Sequence, residues 1–502
     1  VTIILADIDV RIILSCLVLL ALLLVLLPGL RRFEAQAYGL AAVVGLAAFF
    51  NFGLQYHQYS DGFVNRWEFF HYQLGSKYFP ELGYDGLYAA SLLAQRETAP
   101  ELRVFPMRNL DTNLMAPPKD HEPMLLEVRT RFSDERWGGF VDDHRGYIEN
   151  TPEEFWRIVR RDHGYNPTPA WTFVARLFDS WIDSSKPSLK FLASLDIVLM
   201  VAMFVVILRT HGYRACCLSL AIAGLGFGWR YLYIGSLLRL DWLVASVIGI
   251  CMLKRERFTL AGALIGYAAA VRVFPVLFLA GPGLLALKAW FSGERPKWPI
   301  QLAAGFIAAM LLLGLGGSMT GRGFEAWTEF AEDIQVHRKS WGTNLVGLDS
   351  LFVNGPSMLV ANATAPTGRR THKEVAEILS ERQLGRVVAA GSMLGLLGLA
   401  VWGASLSDAA LLGVVAIFAL TPAASYYWIM ALVVPLRRGR WAPIAVLGLA
   451  TAIYVVARFY REPGYQPWLY ALFAWGCAAV FTAWLLPDAV RQLTRQASAR
   501  KL

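Results

Sequence analysis

The chain has 502 residues, 56% hydrophobic and only 17% charged, with a formal net charge of +9. Soluble domains carry about a quarter charged residues, so the composition excludes a water-soluble multidomain protein and indicates a polytopic membrane one. Much of the basic excess sits in short loops beside apolar runs, which fits topology signals and lipid headgroups and excludes a nucleic-acid footprint.

Apolar runs recur at 12–30, 35–54, 189–208, 213–229, 237–253, 259–271, 274–290, 300–319, 387–406, 409–420, 425–436, 442–457 and 468–486. The fold expected is an all-α polytopic membrane bundle of about 11–13 transmembrane helices. Several runs fall short of the ~20 residues that one crossing needs; Pro275 and Pro422 mark where helices break. Run 12–30 is followed by Arg31 and Arg32 without a small-residue cleavage site, so it reads as a retained span. Cys16, Cys216, Cys217, Cys251 and Cys477 all fall in or beside apolar runs, which argues against a disulfide framework or a thiolate metal site.

Basic loops at 31–32, 209–214, 254–257, 288–297 and 437–440, with the tail at 491–501, are expected to be cytoplasmic. In that phase the N-terminus and the long polar segments 55–188 and 320–386 face the other side. The chain then divides into an N-terminal hairpin (1–54), a first outer segment (55–188), a central bundle (189–319), a second outer segment (320–386) and a C-terminal bundle with a basic tail (387–502).

Stretch 60–88, SDGFVNRWEFFHYQLGSKYFPELGYDGLY, opens the first outer segment. Phe63, Trp67, Phe70 and Leu74 fall at i, i+4, i+7 and i+11, one face of a helix. Such an aromatic face soon after a span predicts a helix lying in the membrane interface. Gly75 and Pro80 end it, and Tyr84-Asp85-Gly86 reads as a turn. Asp61, beside Ser60, is a natural helix N-cap; it is also a carboxylate where a membrane-surface pocket would open. Arg66 and His71 share the helix, as headgroup contacts or as substrate-pocket residues.

Region 97–171 is rich in proline and charge, and an irregular subdomain with short helices is expected. One helix is predicted near Thr151-Pro152-Glu153-Glu154: a capping threonine, proline at the first helical position, then acids. Asp142-Asp143-His144 and Asp120-His121-Glu122 have the residue types of a divalent-metal site, but adjacent positions do not share a helical face. Asn362-Ala363-Thr364 is a glycosylation sequon where the source modifies outer loops.

A span, an outer acid, an aromatic helix and then many spans with short loops resemble the GT-C superfamily of integral-membrane glycosyltransferases. The closest group is family 87, the polyprenyl-phosphomannose-dependent mannosyltransferases. Four blocks carry the resemblance. The first is Asp61-Gly62-Phe63 leading to Tyr84-Asp85. The second runs from Ile234-Gly235-Ser236 through a small-residue span to Val271-Arg272-Val273-Phe274-Pro275, with Arg where the family often has Lys and without its Gln-x-Asn. The third is Trp341-Gly342-Thr343-Asn344-Leu345-Val346-Gly347-Leu348. The fourth is Thr421-Pro422 ahead of Ser425-Tyr426-Tyr427.

The resemblance implies a polyprenyl-phosphate sugar donor, an outer glycan, lipid or glycolipid acceptor, no obligatory cofactor, and a location in a bacterial inner membrane. It implies Asp61 as the base that takes the acceptor hydroxyl proton, with Asp85 as the alternative, and inversion by one displacement. Departing phosphate charge needs cationic donors, for which the arginine fork is suited. Arg272, Arg239, His337, Arg338 and Lys339 are the candidates. The plainer readings are snorkelling for Arg272, an ion pair with Asp241 for Arg239, and a solvated helix face for 337–339. Asn344, Tyr426 and Tyr427 are candidates for the substrate pocket, although interfacial anchoring is commoner for such tyrosines. Three rivals stay open: a lipid-glycan flippase, a polysaccharide polymerase or ligase using a diphosphate-linked donor, and a non-catalytic assembly scaffold. A flippase favours matched broken helices with ionisable residues; Asp196 and Asp241 lie in or near spans but not in matched halves. Arg322, Arg338, His337, Arg369 and Arg370 are what a polymerase would use.

Overall fold

The computed structural model describes residues 2–53, 60–61, 63–228, 234–338, 344–353, 372–459 and 467–499. Helices dominate, and the strands among those residues form three short antiparallel pairs. Helices α1 (Thr2–Leu24) and α2 (Glu34–Phe49) come first, joined by a bend of 119°. The first strand pair, β1 (Ser60–Asp61) and β2 (Val64–Asn65), follows.

The first polar segment is a packed helical subdomain and not an irregular one. It holds α3 (Arg66–Lys77), α4 (Phe79–Leu82), α5 (Leu87–Thr98), the pair β3 (Met107–Asn109) and β4 (Leu114–Ala116), α6 (Glu122–Thr130), α7 (Asp134–Glu149), α8 (Glu153–Val159) and α9 (Pro169–Asp179). Its starts follow local chemistry. The Asn65 side chain accepts from the Glu68 N–H at 3.3 Å to cap α3, and Thr168 caps α9 ahead of Pro169. Helix α8 begins one residue after Pro152, close to the start that its capping tetrad predicts.

The bundle follows: α10 (Lys186–His211), α11 (Tyr213–Leu225), α12 (Asp241–Lys254), α13 (Phe258–Val271), α14 (Ala280–Phe291) and α15 (Trp298–Ser318). Helix α13 stops before a 3-10 segment, Phe274–Leu279, with Pro275 in its first turn. Gly262 of α13 and Gly305 of α15 let the two backbones touch: a Cβ on Gly262 would lie 2.0 Å from the Leu302 carbonyl oxygen. Arg11 of α1 is buried here, donating to the Ala48 carbonyl at 3.0 Å and to that of Gly224, so backbone oxygens satisfy a charge inside the bundle.

The last part comprises α16 (Glu325–Arg338), β5 (Leu345–Val346), α17 (Leu348–Val353), α18 (His372–Glu381), α19 (Gln383–Val401), α20 (Leu406–Leu411), α21 (Gly413–Leu420), β6 (Ala423–Ala424), the 3-10 segment Ser425–Leu436, α22 (Trp441–Phe459) and α23 (Pro467–Ala499). Helix α21 ends two residues before Pro422.

Among the described residues six helices are long and apolar enough to cross a membrane: α10, Phe274–Phe291, α15, α19, α22 and Leu469–Ser498; the bent pair α1–α2 makes up to seven. The chain is therefore an all-α polytopic membrane protein. Tyr213–Leu225, Phe258–Val271, Leu406–Leu420 and Ser425–Leu436 are shorter apolar helices. The apolar pattern alone gave a higher count because buried half-length helices are as apolar as spans.

Candidate functional site

Four stretches far apart in sequence meet beside α3. In the β1–β2 hairpin Asp61 stands opposite Val64 and Ser60 opposite Asn65. The Asn65 N–H donates to the Gly235 carbonyl at 2.8 Å, which docks the turn before α12 on the hairpin. Gly235 has φ +77°, and a Cβ there would lie 1.8 Å from the Phe63 carbonyl oxygen, so the contact requires glycine. On the other side β5 pairs with β6, and the Ser425 N–H donates to the Asn344 carbonyl at 2.8 Å. That pairing sets Asn344 next to Tyr426 and Tyr427.

Arg239 lies at the centre, buried. Its Nε is 3.3 Å from Glu68 Oε2, and a terminal nitrogen donates to the Tyr72 hydroxyl at 3.0 Å. The guanidinium also sits over two rings, 5.0 Å from Tyr72 and 5.1 Å from Tyr426. Asp196 of α10 fixes the backbone below it, accepting from the N–H groups of Arg239 at 2.9 Å and Leu240 at 3.0 Å. The ion pair is thus with Glu68 and not with the neighbouring Asp241, whose carboxylate accepts from the Tyr267 hydroxyl at 2.7 Å and the Trp242 N–H at 2.6 Å. Residues two apart at a helix start point apart, whereas α3 brings Glu68 across.

Burial pushes the Glu68 carboxyl up to about 7, with Arg239 pulling the other way and only partly offsetting it.

Arg272 ends α13. It donates to the Val271 carbonyl at 3.2 Å, and its guanidinium is 6.0 Å from the Trp171 ring of α9. Its Nε and Nη2 are buried and have no hydrogen-bond partner among the described residues. Glu68 and Asp241 each feel both arginines electrostatically. Tyr427 closes the aromatic wall, 5.0 Å from Phe274 and 5.6 Å from Trp242.

Other sequence candidates fall elsewhere. Asp61 is not the cap of α3, because the helix starts at Arg66 and Asn65 caps it. Helix α3 does not lie on the membrane surface. Arg66, Glu68 and the run from Phe69 to Ser76 are buried, because the rest of the subdomain covers the face that was expected to be polar. Phe70 packs edge-on against Tyr147, Phe155 and Trp156. Arg66 is part of this packing and not a headgroup contact. His71 bridges the Trp67 carbonyl and the Tyr88 hydroxyl, and burial lowers its pKa, which keeps it neutral and structural.

Asp85 lies beyond the far end of α3, about 17 Å along the helix from the hairpin by helical rise. Arg131 holds both its oxygens at 2.8 Å. It lines a separate cleft of about 360 Å³ with Tyr84, Asp111, Arg322, Glu329 and Asp333. Helix α16 carries His337 and Arg338; their side chains, that of Asp61, and Lys339, Trp341, Gly342, Thr343, Asn362, Arg369 and Arg370 lie outside what the structure describes.

Neither metal candidate forms a ligand set. Asp143 accepts from Lys77 at 2.7 Å, Tyr78 at 2.8 Å and the Ser184 N–H at 2.8 Å. His144 bonds Ser91 at 2.8 Å, Asp142 pairs with Arg145, and Glu122 pairs with Arg96. No group of three His, Cys, Asp or Glu side chains able to hold a metal ion occurs among the described residues.

Sequence reasoning missed Glu68, Tyr72 and Trp171. A signal existed for the first two: they stand four apart, so a carboxylate and a hydroxyl share one stripe of an aromatic helix. The fold and site define a polytopic helical membrane protein with one buried and one half-buried arginine set among acids and aromatic rings. No protein-family model matches the chain, and neither a curated protein nor a solved structure does.

Proposed function

We propose that the protein is an inverting glycosyltransferase of GT-C type. It would move a monosaccharide from a polyprenyl-phosphate donor to a glycan, lipid or glycolipid acceptor at the outer face of a bacterial inner membrane. The observation that carries this reading is Arg272: two buried guanidinium nitrogens have no hydrogen-bond partner among the described residues, beside Trp171 and within electrostatic reach of Glu68 and Asp241. Buried unsatisfied donors are costly, and a phosphate oxygen would satisfy them. Arg239 is already engaged by Glu68, Tyr72 and Tyr426 and serves to shape the pocket.

In the proposed step the acceptor oxygen attacks the anomeric carbon and gives its proton to Asp61. The bond from that carbon to the phosphate oxygen breaks, and the lipid phosphate leaves with the electron pair. Arg272 stabilises the charge that gathers there. Glu68 is the second candidate for the proton.

The test is to incubate the reconstituted protein with labelled polyprenyl-phosphate mannose, arabinose or glucose. Sugar transfer that Asp61→Asn abolishes, in a variant that still folds, supports the reading. Movement of intact donor between leaflets would replace it with a flippase. Turnover of only a diphosphate-linked oligosaccharide would replace it with a polymerase or ligase.

A further inference from the structure

Helix α9 changes surroundings along its length. Its first turn reaches the arginine cluster: the Trp171 indole N–H donates to the Leu238 carbonyl at 3.1 Å, Thr168 donates to the Ala270 carbonyl at 2.8 Å, and the Trp171 ring faces Arg272. The same stripe continues from Trp171, at i+3, i+7 and i+10, through Val174, Phe178 and, just past the helix end, Trp181, with Phe173 and Leu177 beside it. Phe173 and Val174 are half-buried against Leu313 of α15. Towards the helix end the cover stops. Leu177 is 59% exposed, Phe178 38% and Trp181 88%.

Two spanning helices, one packed against α9 and one following it in sequence, also show apolar residues outward. Helix α10 begins shortly after Trp181 and shows Phe191, Val198, Val201 and Val205 outward. Helix α15, against which α9 packs, shows Leu311, Leu312, Leu315 and Met319 outward. Lys186 and Lys190, both exposed, follow the patch at the start of α10. A tryptophan and lysines at the end of a span, beside an apolar helix face, are the composition of a bilayer interface.

We infer that α9 is a membrane-interface helix, with Leu177, Phe178 and Trp181 seated among lipids at the headgroup boundary. The interfacial role expected of α3 then belongs to α9. Phe178 follows Trp171 by seven residues on the same stripe, about 10 Å by helical rise, so the patch begins one to two turns from the ring that faces Arg272. The inference needs only the membrane assignment, and it stands or falls independently of sugar transfer.

The experiment uses the full chain with Cys16→Ser, which removes the one exposed thiol among the described cysteines. The chain sits one copy per nanodisc of phosphatidylethanolamine and phosphatidylglycerol. Trp181→Cys receives a bimane label, with Leu126→Cys as the aqueous reference and Ile307→Cys, near the middle of α15, as the mid-span reference, both exposed sites. The expected result is strong quenching at 181 by headgroup-level nitroxide lipid, with several-fold less quenching by aqueous iodide than at 126. Nitroxide placed deep in the acyl chains should quench 307 and spare 181. Iodide quenching at 181 equal to that at 126 overturns the inference. So does shielding from iodide without any nitroxide effect, which would mean that protein, including a second copy, covers the patch. Phe178→Cys, read in the same way, guards against a label that distorts the end of the helix.

Discussion

Glu68 and Arg239 meet as a buried ion pair, Oε2 to Nε at 3.3 Å, across the junction between the outer subdomain and the membrane bundle. Removing one partner of a buried pair costs more than the pair itself contributes, because a charge is left in low dielectric.

Glu68→Ala is therefore expected to destabilise the protein by about 3 kcal/mol, and Arg239→Ala by a similar amount. Glu68→Ala/Arg239→Ala together should cost clearly less than the sum. Thermal unfolding in one detergent for all four proteins measures the coupling. Strict additivity would show that the pair carries no mutual stabilisation.

Arg272 has the opposite profile. Its buried Nε and Nη2 have no hydrogen-bond partner among the described residues, so Arg272→Ala should leave unfolding temperature unchanged or slightly raised. If the proposed function holds, that variant should lose roughly 10²-fold in kcat/KM towards a polyprenyl-phosphate sugar. Arg272→Lys should recover part of this, since lysine keeps the charge and not the fork. Loss of stability without loss of turnover would assign Arg272 to the scaffold.

Gly235 joins the hairpin of Asp61 to the bundle. With φ at +77° and the Phe63 oxygen 1.8 Å from an added Cβ, Gly235→Ala should cost about 2 kcal/mol or more. Gly283→Ala is the control, because nothing lies within 4 Å of its added Cβ. Unfolding temperature should fall for the first variant alone. If the proposed function holds, transfer activity should fall with it, because the β1–β2 turn must shift.

The site was legible in pieces. Short-range signals gave a helix along Phe63–Leu74, which the structure sets at Arg66–Lys77 with Gly75 inside it, and also the start of α8 and the breaks at Pro275 and Pro422, because each is written in residues a few positions apart. They could not say which face of α3 would be covered. Phe70 meets Tyr147, Phe155 and Trp156 only once the subdomain has folded back, and an aromatic stripe reads alike whether lipid or protein covers it. The same limit explains Arg239. Asp241 is its neighbour in sequence, but Glu68 reaches it through a tertiary contact. Trp171 carried no local mark, since its role comes from a helix that wedges against the end of α13.

Asp179, at the end of α9, is fully buried and accepts from the Ser76 hydroxyl, which ties α9 to α3. Burial raises its carboxyl to about 8, against the opposing effects of Ser76 and Arg176. The unfolded chain would ionise Asp179 near the ordinary value of about 4. For an acid raised on folding, the favourable state is the protonated one. Stability is then complete below about pH 4 and declines as pH rises towards 8, because the unfolded chain releases the proton that the fold retains. Asparagine keeps the acceptor for Ser76 and cannot ionise. Asp179→Asn should therefore match the parent near pH 4 and exceed its stability by a few kcal/mol at pH 8, with a flatter profile between. Unfolding temperatures at matched ionic strength across that range are the measurement. A parent and variant with parallel profiles would mean that Asp179 is ionised in the folded protein and that a counter-charge, most directly Arg176 or Lys77, outweighs its burial.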